Sequence, residues 1–245
     1  MRPLRDLIKR KRLKAVFRAV KKKAQLYIPI MNKFAYICHK SIYYIIMPYR
    51  SFLAEDIQEK LGLRTQKAKL FTDIIPLEPG DLLKNILFST AILPKKSEKA
   101  RSEMIVFPIL LDLCQKNNYQ FIIYSGENLK ADLKRGLNGE CDFILSKNTE
   151  ALDLNVPIFT LVEAKRDQII EEGIPQCIAQ LVGAQVYNAK KKIELPFIYG
   201  CVSTGEAWKF LKLEKDLLII DTDTYYLGNL SSIIGVFQMI VSKYI

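Results

Sequence analysis

Two stretches of the chain, GECDFILS at residues 139–146 and PIFTLVEAK at residues 157–165, decide its fold. Both contain apolar runs rich in β-branched and aromatic residues, and such runs favour buried strands. The segment between them is long enough for a hairpin-like connection, so we expect the two strands to pair. This pairing would bring Asp142, at the start of the first strand, beside Glu163, near the end of the second.

Helix and strand patterns continue on both sides of this predicted hairpin. Ahead of it, the spacing of apolar residues predicts helices over 54–61, 81–93 and 97–118 and a strand over 120–125. After it, the pattern predicts a helix over 172–189, strands over 197–203, 207–214 and 217–221, and a last helix over 230–244. This order indicates one α/β domain in which helices flank a mixed β-sheet.

Positive charge is concentrated at the N-terminus. Residues 1–50 carry 14 Lys and Arg against one acid, a charge of +13, whereas residues 51–245 carry 23 basic and 25 acidic side chains. We therefore expect a basic and apolar N-terminal extension at 1–50, a helical lead-in at 51–96 and the main domain at 97–245. The extension is interpreted as a nucleic-acid-binding arm, a membrane-surface anchor, a poorly ordered tail, or sequence upstream of the true start.

Composition excludes several classes of enzyme. With a single histidine, His39, the chain is not expected to use Ser-His-Asp catalysis, histidine-ligated zinc, or the chemistry of nucleases whose base or ligands are histidines. Its five cysteines lie far apart without a CxxC pair, so we expect a reducing, cytoplasmic location. No GxxxxGK[ST] motif is present, which excludes an ATP motor of the P-loop type.

The predicted hairpin also groups residues that suit phosphodiester chemistry. Glu163 and Lys165 project to the same face because side chains alternate along a strand. Two close carboxylates repel each other unless a cation lies between them, and oxygen ligands suit Mg²⁺ or Mn²⁺. Such an ion activates water for attack on phosphorus, and a nearby lysine can orient that water or stabilise developing charge.

This arrangement resembles the PD-(D/E)xK nuclease superfamily, whose motif is an acid at a strand start followed by (D/E)-x-K on the adjacent strand. Asp142 and the Glu163-Ala164-Lys165 stretch match the motif, and Cys141 replaces the proline that often precedes the aspartate. The similarity covers about residues 97–245. Within the superfamily, this region resembles the nuclease domain at the head of type I restriction motor subunits and small stand-alone bacterial relatives.

The resemblance implies a restriction-endonuclease-like core and a divalent-metal-dependent endonuclease that acts on DNA. It implies an Mg²⁺ or Mn²⁺ ion held by Asp142, Glu163 and the Ala164 carbonyl, with Glu103 as the helix acid that completes the shell. Lys165 would position the attacking water or stabilise the transition state. A glutamine on the next helix, Gln176 or Gln180, would steady Lys165 or a phosphate of the scissile strand.

Each of these residues also has a purely structural interpretation. Glu103 shares a predicted helix face with Phe107, Leu110 and Cys114, so we expect it on a core-facing stripe, where a carboxylate needs a cation or another partner. Acids are equally favoured near the start of a helix by the helix dipole. In the same way, Asp142 could be a turn acid, Glu163 and Lys165 could mark the end of a buried strand, and both glutamines could be solvated.

A second interpretation belongs to a different functional class. The chain could be a catalytically silent module that binds nucleic acid or assembles a complex, with affinity supplied by the basic arm. For either interpretation, the near-neutral main domain offers no long basic groove, so a homodimer or a protein partner is a further source of affinity for nucleic acid. Membrane contact through residues 1–49 is a third alternative, although no uninterrupted apolar run reaches the ~18–20 residues of a membrane span.

Overall fold

A computed structural model of the chain describes residues 48–147, 154, 156–165 and 169–245. The predictions for the N-terminal extension, apart from its last residues, lie outside these residues, as does most of the connection between the two strands of the predicted hairpin. The helices are α1 (Asp56–Glu59), α2 (Asp81–Thr90), α3 (Glu98–Arg101), α4 (Phe107–Lys116), α5 (Ile174–Lys190) and α6 (Leu230–Val241). A π-helical turn, Ser102–Val106, joins α3 to α4, and short 3-10 turns lie at Tyr49–Ser51, Ile170–Gly173 and Leu227–Asn229.

Within the part of the chain that the structure describes, the strands form one mixed sheet of eight. They are β1 (Arg64–Ala68), β2 (Ile122–Asn128), β3 (Glu140–Ser146), β4 (Ile158–Ala164), β5 (Ile198–Ser203), β6 (Ala207–Glu214), β7 (Leu217–Asp221) and β8 (Tyr225–Tyr226). Their order is β1-β7-β6-β5-β4-β3-β2, with β8 beside β6. The pairs β1–β7 and β4–β5 are parallel and the others antiparallel. The prediction of an α/β fold with a mixed sheet flanked by helices is confirmed.

Helices cover the sheet on both faces because each face carries an apolar layer. On one face, α4 and α6 contribute fully buried side chains, among them Ile109, Leu113 and Phe237. On the other face, α5 buries Ile178 and Leu181. Removing this apolar surface from water is the main favourable term that holds the layers together.

One buried asparagine fixes α5 along β4. The Asn188 side chain is 1% exposed. Its Oδ1 accepts a 2.9 Å hydrogen bond from the backbone N–H of Ile158, and its Nδ2 donates a 2.7 Å bond to the carbonyl oxygen of the same residue. Because Gln176 and Gln180 lie on this helix, the contact also sets their position relative to the strand that carries Glu163.

The sequence analysis missed β1, which lies in the segment assigned to a helical lead-in. Its residues, RTQKA, are polar, and four of the five are exposed. Neither face of the strand is buried, so the alternation of apolar and polar residues that indicates a strand is absent. The strand forms through backbone pairing with β7 instead, in a register that sets Gln66 beside Ile219.

Within the described residues, none of the helices has the length and apolar character needed to cross a membrane.

Candidate active site

Antiparallel pairing of β3 with β4 brings two carboxylates together. Phe143 pairs with Val162, so the next position places Asp142 opposite Glu163. Oδ2 of Asp142 accepts a 2.7 Å hydrogen bond from the backbone N–H of Ala164, which fixes this carboxylate against the end of β4. The predicted pairing of these two strands is confirmed.

Glu163 is buried, with 2% of the residue exposed, and both of its carboxylate oxygens have partners. Oε1 accepts a 2.7 Å hydrogen bond from Nζ of Lys165, and Oε2 accepts a 2.6 Å bond from Nε2 of Gln180. Gln180 is fully buried, which rules out the solvated interpretation for its side chain. Its Oε1 has no hydrogen-bond partner among the residues that the structure describes. A buried polar atom without a hydrogen-bond partner is energetically costly. A hydrogen-bond donor or a cation beside Oε1 of Gln180 would remove that cost.

The side chain of Lys165 is held by Glu163 on β4 and by Gln176 on α5. Nζ donates a 2.8 Å hydrogen bond to Oε1 of Gln176 in addition to its bond with Glu163. Gly173, just before α5, leaves room for the lysine stem, since a Cβ there would lie 3.0 Å from Cγ of Lys165 and 2.5 Å from Cγ1 of Val202. Sequence reasoning missed Gly173, because the helix was predicted over 172–189 and the glycine fell inside its first turn, whereas the observed helix begins at Ile174.

Burial and charge control the ionisation of the site. Burial, followed by the Asp142 carboxylate, raises the pKa of Glu163 to about 7, against the opposing influence of Lys165 and Gln180. Burial also raises the pKa of Asp142 despite its backbone hydrogen bond. For Lys165, burial is the largest influence and disfavours the charged form, but Glu163, Glu98 and Asp142 together outweigh it and raise the pKa. The two carboxyl groups therefore hold their protons more readily than ordinary carboxyl groups, and a cation beside them would favour their charged forms.

Glu98, an exposed acid, has a lesser electrostatic influence on this cluster. Burial is the largest cause of the raised pKa of Asp142 and Glu98 adds to it, and Glu98 also adds to the raised pKa of Lys165 after Glu163. It is the first residue of α3, and the hydroxyl of Ser97, which accepts a 3.1 Å hydrogen bond from the backbone N–H of Ala100, caps that helix. Sequence reasoning missed Glu98, although the capping serine marked the helix start that carries it.

The prediction that Glu103 lies on a core-facing stripe is wrong. Its side chain is 61% exposed and pairs with Nζ of Lys99 at 3.8 Å. The stripe assumed continuous α-helical spacing, but Glu103 lies in the π-helical turn Ser102–Val106, in which hydrogen bonds span one residue more and the faces shift. Phe107, the next member of the expected stripe, is 37% exposed. Hydrogen bonds therefore join six of the predicted site residues, whereas the pair described for Glu103 is with Lys99; the six are Asp142, Glu163, Ala164, Lys165, Gln176 and Gln180.

The donor set fits a hard divalent cation such as Mg²⁺ or Mn²⁺. Carboxylate oxygens of Asp142 and Glu163 and the backbone carbonyl of Ala164 are the kind of ligand these ions prefer. The second oxygen of Asp142 accepts no hydrogen bond from a described residue, and the unpartnered Oε1 of Gln180 adds a buried oxygen beside Glu163. Within the described ranges, no group of three or more His, Cys, Asp or Glu side chains is arranged around a metal site. An ion here would complete its shell with water or substrate oxygens.

In comparisons with known proteins, no family model and no curated protein matches the chain.

Proposed function

We propose that this protein is a divalent-metal-dependent endonuclease that hydrolyses phosphodiester bonds of DNA. The observation that carries the proposal is the position of Lys165, whose Nζ is 2.7 Å from Oε1 of Glu163 and 2.8 Å from Oε1 of Gln176. Asp142 lies on the adjacent strand and is bonded to the end of β4. This is the arrangement expected of a PD-(D/E)xK nuclease, and it supports a restriction-endonuclease-like core as the finer description of the fold.

Asp142, Glu163 and the Ala164 carbonyl would hold an Mg²⁺ or Mn²⁺ ion. When bound, the ion supplies positive charge that activates water and stabilises the charge that develops on the phosphorus oxygens. Gln180 keeps the Glu163 carboxylate in one orientation through its 2.6 Å hydrogen bond. A preorganised carboxylate avoids the cost of reorientation when substrate binds.

Lys165 is the group that would contact the reacting phosphate. Its raised pKa keeps it charged at neutral pH, so it can donate to a non-bridging phosphate oxygen or to the attacking water. Hydrolysis forms a bond from the water oxygen to phosphorus and breaks the bond to the leaving oxygen, which takes up a proton. Glu163 and Gln176 each accept one hydrogen of the ammonium group and so aim the remaining one.

The cellular setting that we propose is the cytoplasm. The four described cysteines, Cys114, Cys141, Cys177 and Cys201, are free and buried. Free thiols are usual where thiol-based reductants keep proteins reduced.

The test is cleavage of a panel of labelled DNA substrates with Mg²⁺ or Mn²⁺. Wild type, Lys165→Ala and Asp142→Asn are compared with Glu194→Gln, which changes an exposed carboxylate beyond the far end of α5. We expect wild type and Glu194→Gln to cut and EDTA to abolish cutting. The Lys165 and Asp142 variants should lose on the order of 100-fold or more in rate, as expected when an electrostatic group is removed from a reacting centre.

Equal cutting by all four proteins would reveal a contaminating nuclease and remove the support for the proposal. The alternative of a silent binding module makes a different prediction. It requires the protein to bind DNA but to cut none of the substrates. It also requires that no Mn²⁺ binding depends on Asp142, which calorimetry measures directly.

A further inference from the structure

Three large apolar side chains stand in solvent where α2 ends. Phe88 is 84% exposed, Ile92 is 90% exposed and Leu93 is 42% exposed. Phe88 and Ile92 are four residues apart, and Ala91 between them keeps helical dihedral angles, so both lie on one side of the chain. Apolar side chains grouped at the surface in this way are typical of a binding site.

The segment that carries them is bonded to the edge of the candidate active site. Nε of Arg101 donates a 3.0 Å hydrogen bond to the carbonyl oxygen of Lys95, and its Nη1 donates a 2.5 Å bond to the carbonyl oxygen of Thr204. Thr204 follows Ser203, whose carbonyl oxygen accepts a 2.7 Å bond from the backbone N–H of Lys165. Arg101 thus joins the exposed apolar group to the end of the sheet that carries Lys165.

The exposed side chains are presented by an ordered turn. Nζ of Lys95 donates hydrogen bonds to the carbonyl oxygens of Thr90, Ala91 and Leu93 and so satisfies acceptors at the end of α2. A lysine at a helix C-terminus also interacts favourably with the helix dipole. Ile92 and Leu93 are therefore held outward by the fold of the turn.

Positive charge lies directly beside these apolar groups. Residues 95–101 contain four basic side chains and one acid, Glu98. Lys96 is exposed, and Lys99 is 83% exposed with a single 3.8 Å pair to Glu103. Such exposed pairs contribute little, so both ammonium groups remain available to an anion.

We propose that this apolar–basic patch, formed by Phe88, Ile92, Leu93, Lys96 and Lys99, binds unstacked nucleotides next to the scissile phosphate. The inference rests on the proposed function and names its substrate class, which is DNA with a single-stranded or branched segment. In a continuous duplex the bases are stacked and paired, so they offer no apolar face to Phe88 or Ile92. An unpaired base offers that face, and its flanking phosphates suit the two lysines.

Continuity with the site favours DNA over other occupants of the patch. A lipid surface or a protein would also match apolar and basic groups, but neither accounts for a patch that Arg101 bonds to the strand end beside Lys165. Glu98, which acts on Asp142, lies between the patch lysines in the sequence. A strand whose phosphate reaches Lys165 would therefore extend towards the patch.

The test measures binding of the full chain to a fluorescent flap substrate and to the matching continuous duplex, in EDTA so that no cutting occurs. The variant Phe88→Ser/Ile92→Ser is compared with Ile75→Ser/Tyr226→Ser, which removes one aliphatic and one aromatic side chain that are also exposed, at 80% and 62%. We expect wild type and the control to bind the flap roughly ten-fold more tightly than the duplex, as base stacking on side chains allows. The Phe88/Ile92 variant should lose that preference and keep its duplex affinity.

Each result separates the patch from the proposed nuclease activity. Flap preference that depends on Phe88 and Ile92, in a protein that cuts no DNA, would support the patch and reject the nuclease. Metal-dependent cutting of flap and duplex at equal rates by wild type and by both double variants would overturn the patch proposal and keep the nuclease. Loss of binding to phosphatidylglycerol vesicles in the Phe88/Ile92 variant, with DNA binding unchanged, would overturn it in favour of a lipid surface.

Discussion

Nε2 of Gln180 on α5 lies 2.6 Å from Oε2 of Glu163 on β4, so a fully buried amide orients a carboxylate that is 2% exposed. The bond crosses from helix to sheet at the centre of the candidate site. A buried carboxylate is tolerated where hydrogen bonds and charges compensate for the loss of water. The orientation of Glu163 and the packing of α5 therefore depend on each other.

Replacing Gln180 with leucine should destabilise the protein. The change leaves Oε2 of Glu163 without its donor, which costs about 1–3 kcal/mol in the free energy of unfolding. Denaturation by urea measures this loss. Gln185→Leu is the matched control, because Gln185 lies on the same helix but its Nε2 donates to the Lys215 carbonyl in an exposed bond. Its stability should change by less than about 0.5 kcal/mol, and equal losses in the two variants would contradict the role assigned to Gln180.

The pKa of Glu163 predicts how stability without metal depends on pH. Burial raises this pKa from its ordinary value of 4.5 to about 7, so between these values the folded state holds a proton that the unfolded state releases. The contribution of Glu163 to stability is therefore complete below pH 4.5, falls as pH rises towards 7 and stays constant above. Asp142, whose pKa is also raised, acts with the same sign.

The measurement is the free energy of unfolding in EDTA across this pH range for wild type and for Glu163→Gln. Other carboxyl groups, such as Asp56 beside Lys60, have lowered pKa values, and their contribution to stability falls as pH falls. Because both proteins contain these groups, the difference in unfolding free energy between wild type and Glu163→Gln reports on Glu163. The stability of wild type relative to the variant should decline from pH 5 to pH 7. A difference that stays constant from pH 5 to pH 7 would show that Glu163 is ionised throughout.

The sequence predicted the sheet at the site but not the whole environment of the site. Apolar runs with a charge at their ends specify β3 and β4, and pairing alone then places Asp142 opposite Glu163. The position of Glu103 could not be predicted, because a π-helical turn interrupts the spacing on which the prediction relied. The burial of Gln180 was equally hidden, since a glutamine opposite an apolar helix stripe is usually solvated and only tertiary packing against β4 buries it.

Glu98 and Glu103 provide a direct test of which helix acid serves the site. Glu98→Gln removes a carboxylate that acts on Asp142 and Lys165, so the pKa of Asp142 should fall. Loss of such a supporting charge should weaken Mn²⁺ binding by roughly ten-fold. Glu98 and Glu103 are both exposed, but Glu103, five residues along the same helical run, pairs with Lys99 at 3.8 Å, so Glu103→Gln should leave Mn²⁺ affinity unchanged. Titration calorimetry gives both affinities, and the opposite ranking would restore Glu103 as the helix acid.

Gly173→Ala should displace the side chain of Lys165 without changing the charge of any residue. The added methyl would lie 2.5 Å from Cγ1 of Val202 and 3.0 Å from Cγ of Lys165, so both side chains must move. Overpacking of this kind costs about 1–3 kcal/mol of stability. Cleavage should fall while Mn²⁺ affinity, which depends on Asp142 and Glu163, is retained. Gly228→Ala is the control, since nothing lies within 4 Å of its added Cβ.

Asn188 links the stability of the fold to the geometry of the site. Asn188→Ala leaves both the N–H and the carbonyl oxygen of Ile158 without the partners that held them at 2.9 and 2.7 Å, at a cost of about 2–4 kcal/mol for two buried backbone groups. Because this contact sets α5 along β4, Gln180 should lose its alignment with Glu163 and Mn²⁺ affinity should fall roughly ten-fold.

The control for that effect is Asn117→Ala. The Asn117 amide is also largely buried, at 8% exposed, and exchanges two 2.9 Å hydrogen bonds with Gln238 on α6. Loss of the Asn117 amide should lower the free energy of unfolding about as much as Asn188→Ala does. It should leave α5 in place, so Mn²⁺ affinity should match that of wild type. Calorimetry below the unfolding temperature of both variants distinguishes the two roles. Equal weakening of Mn²⁺ binding would show that Asn188 acts on the site only through general stability.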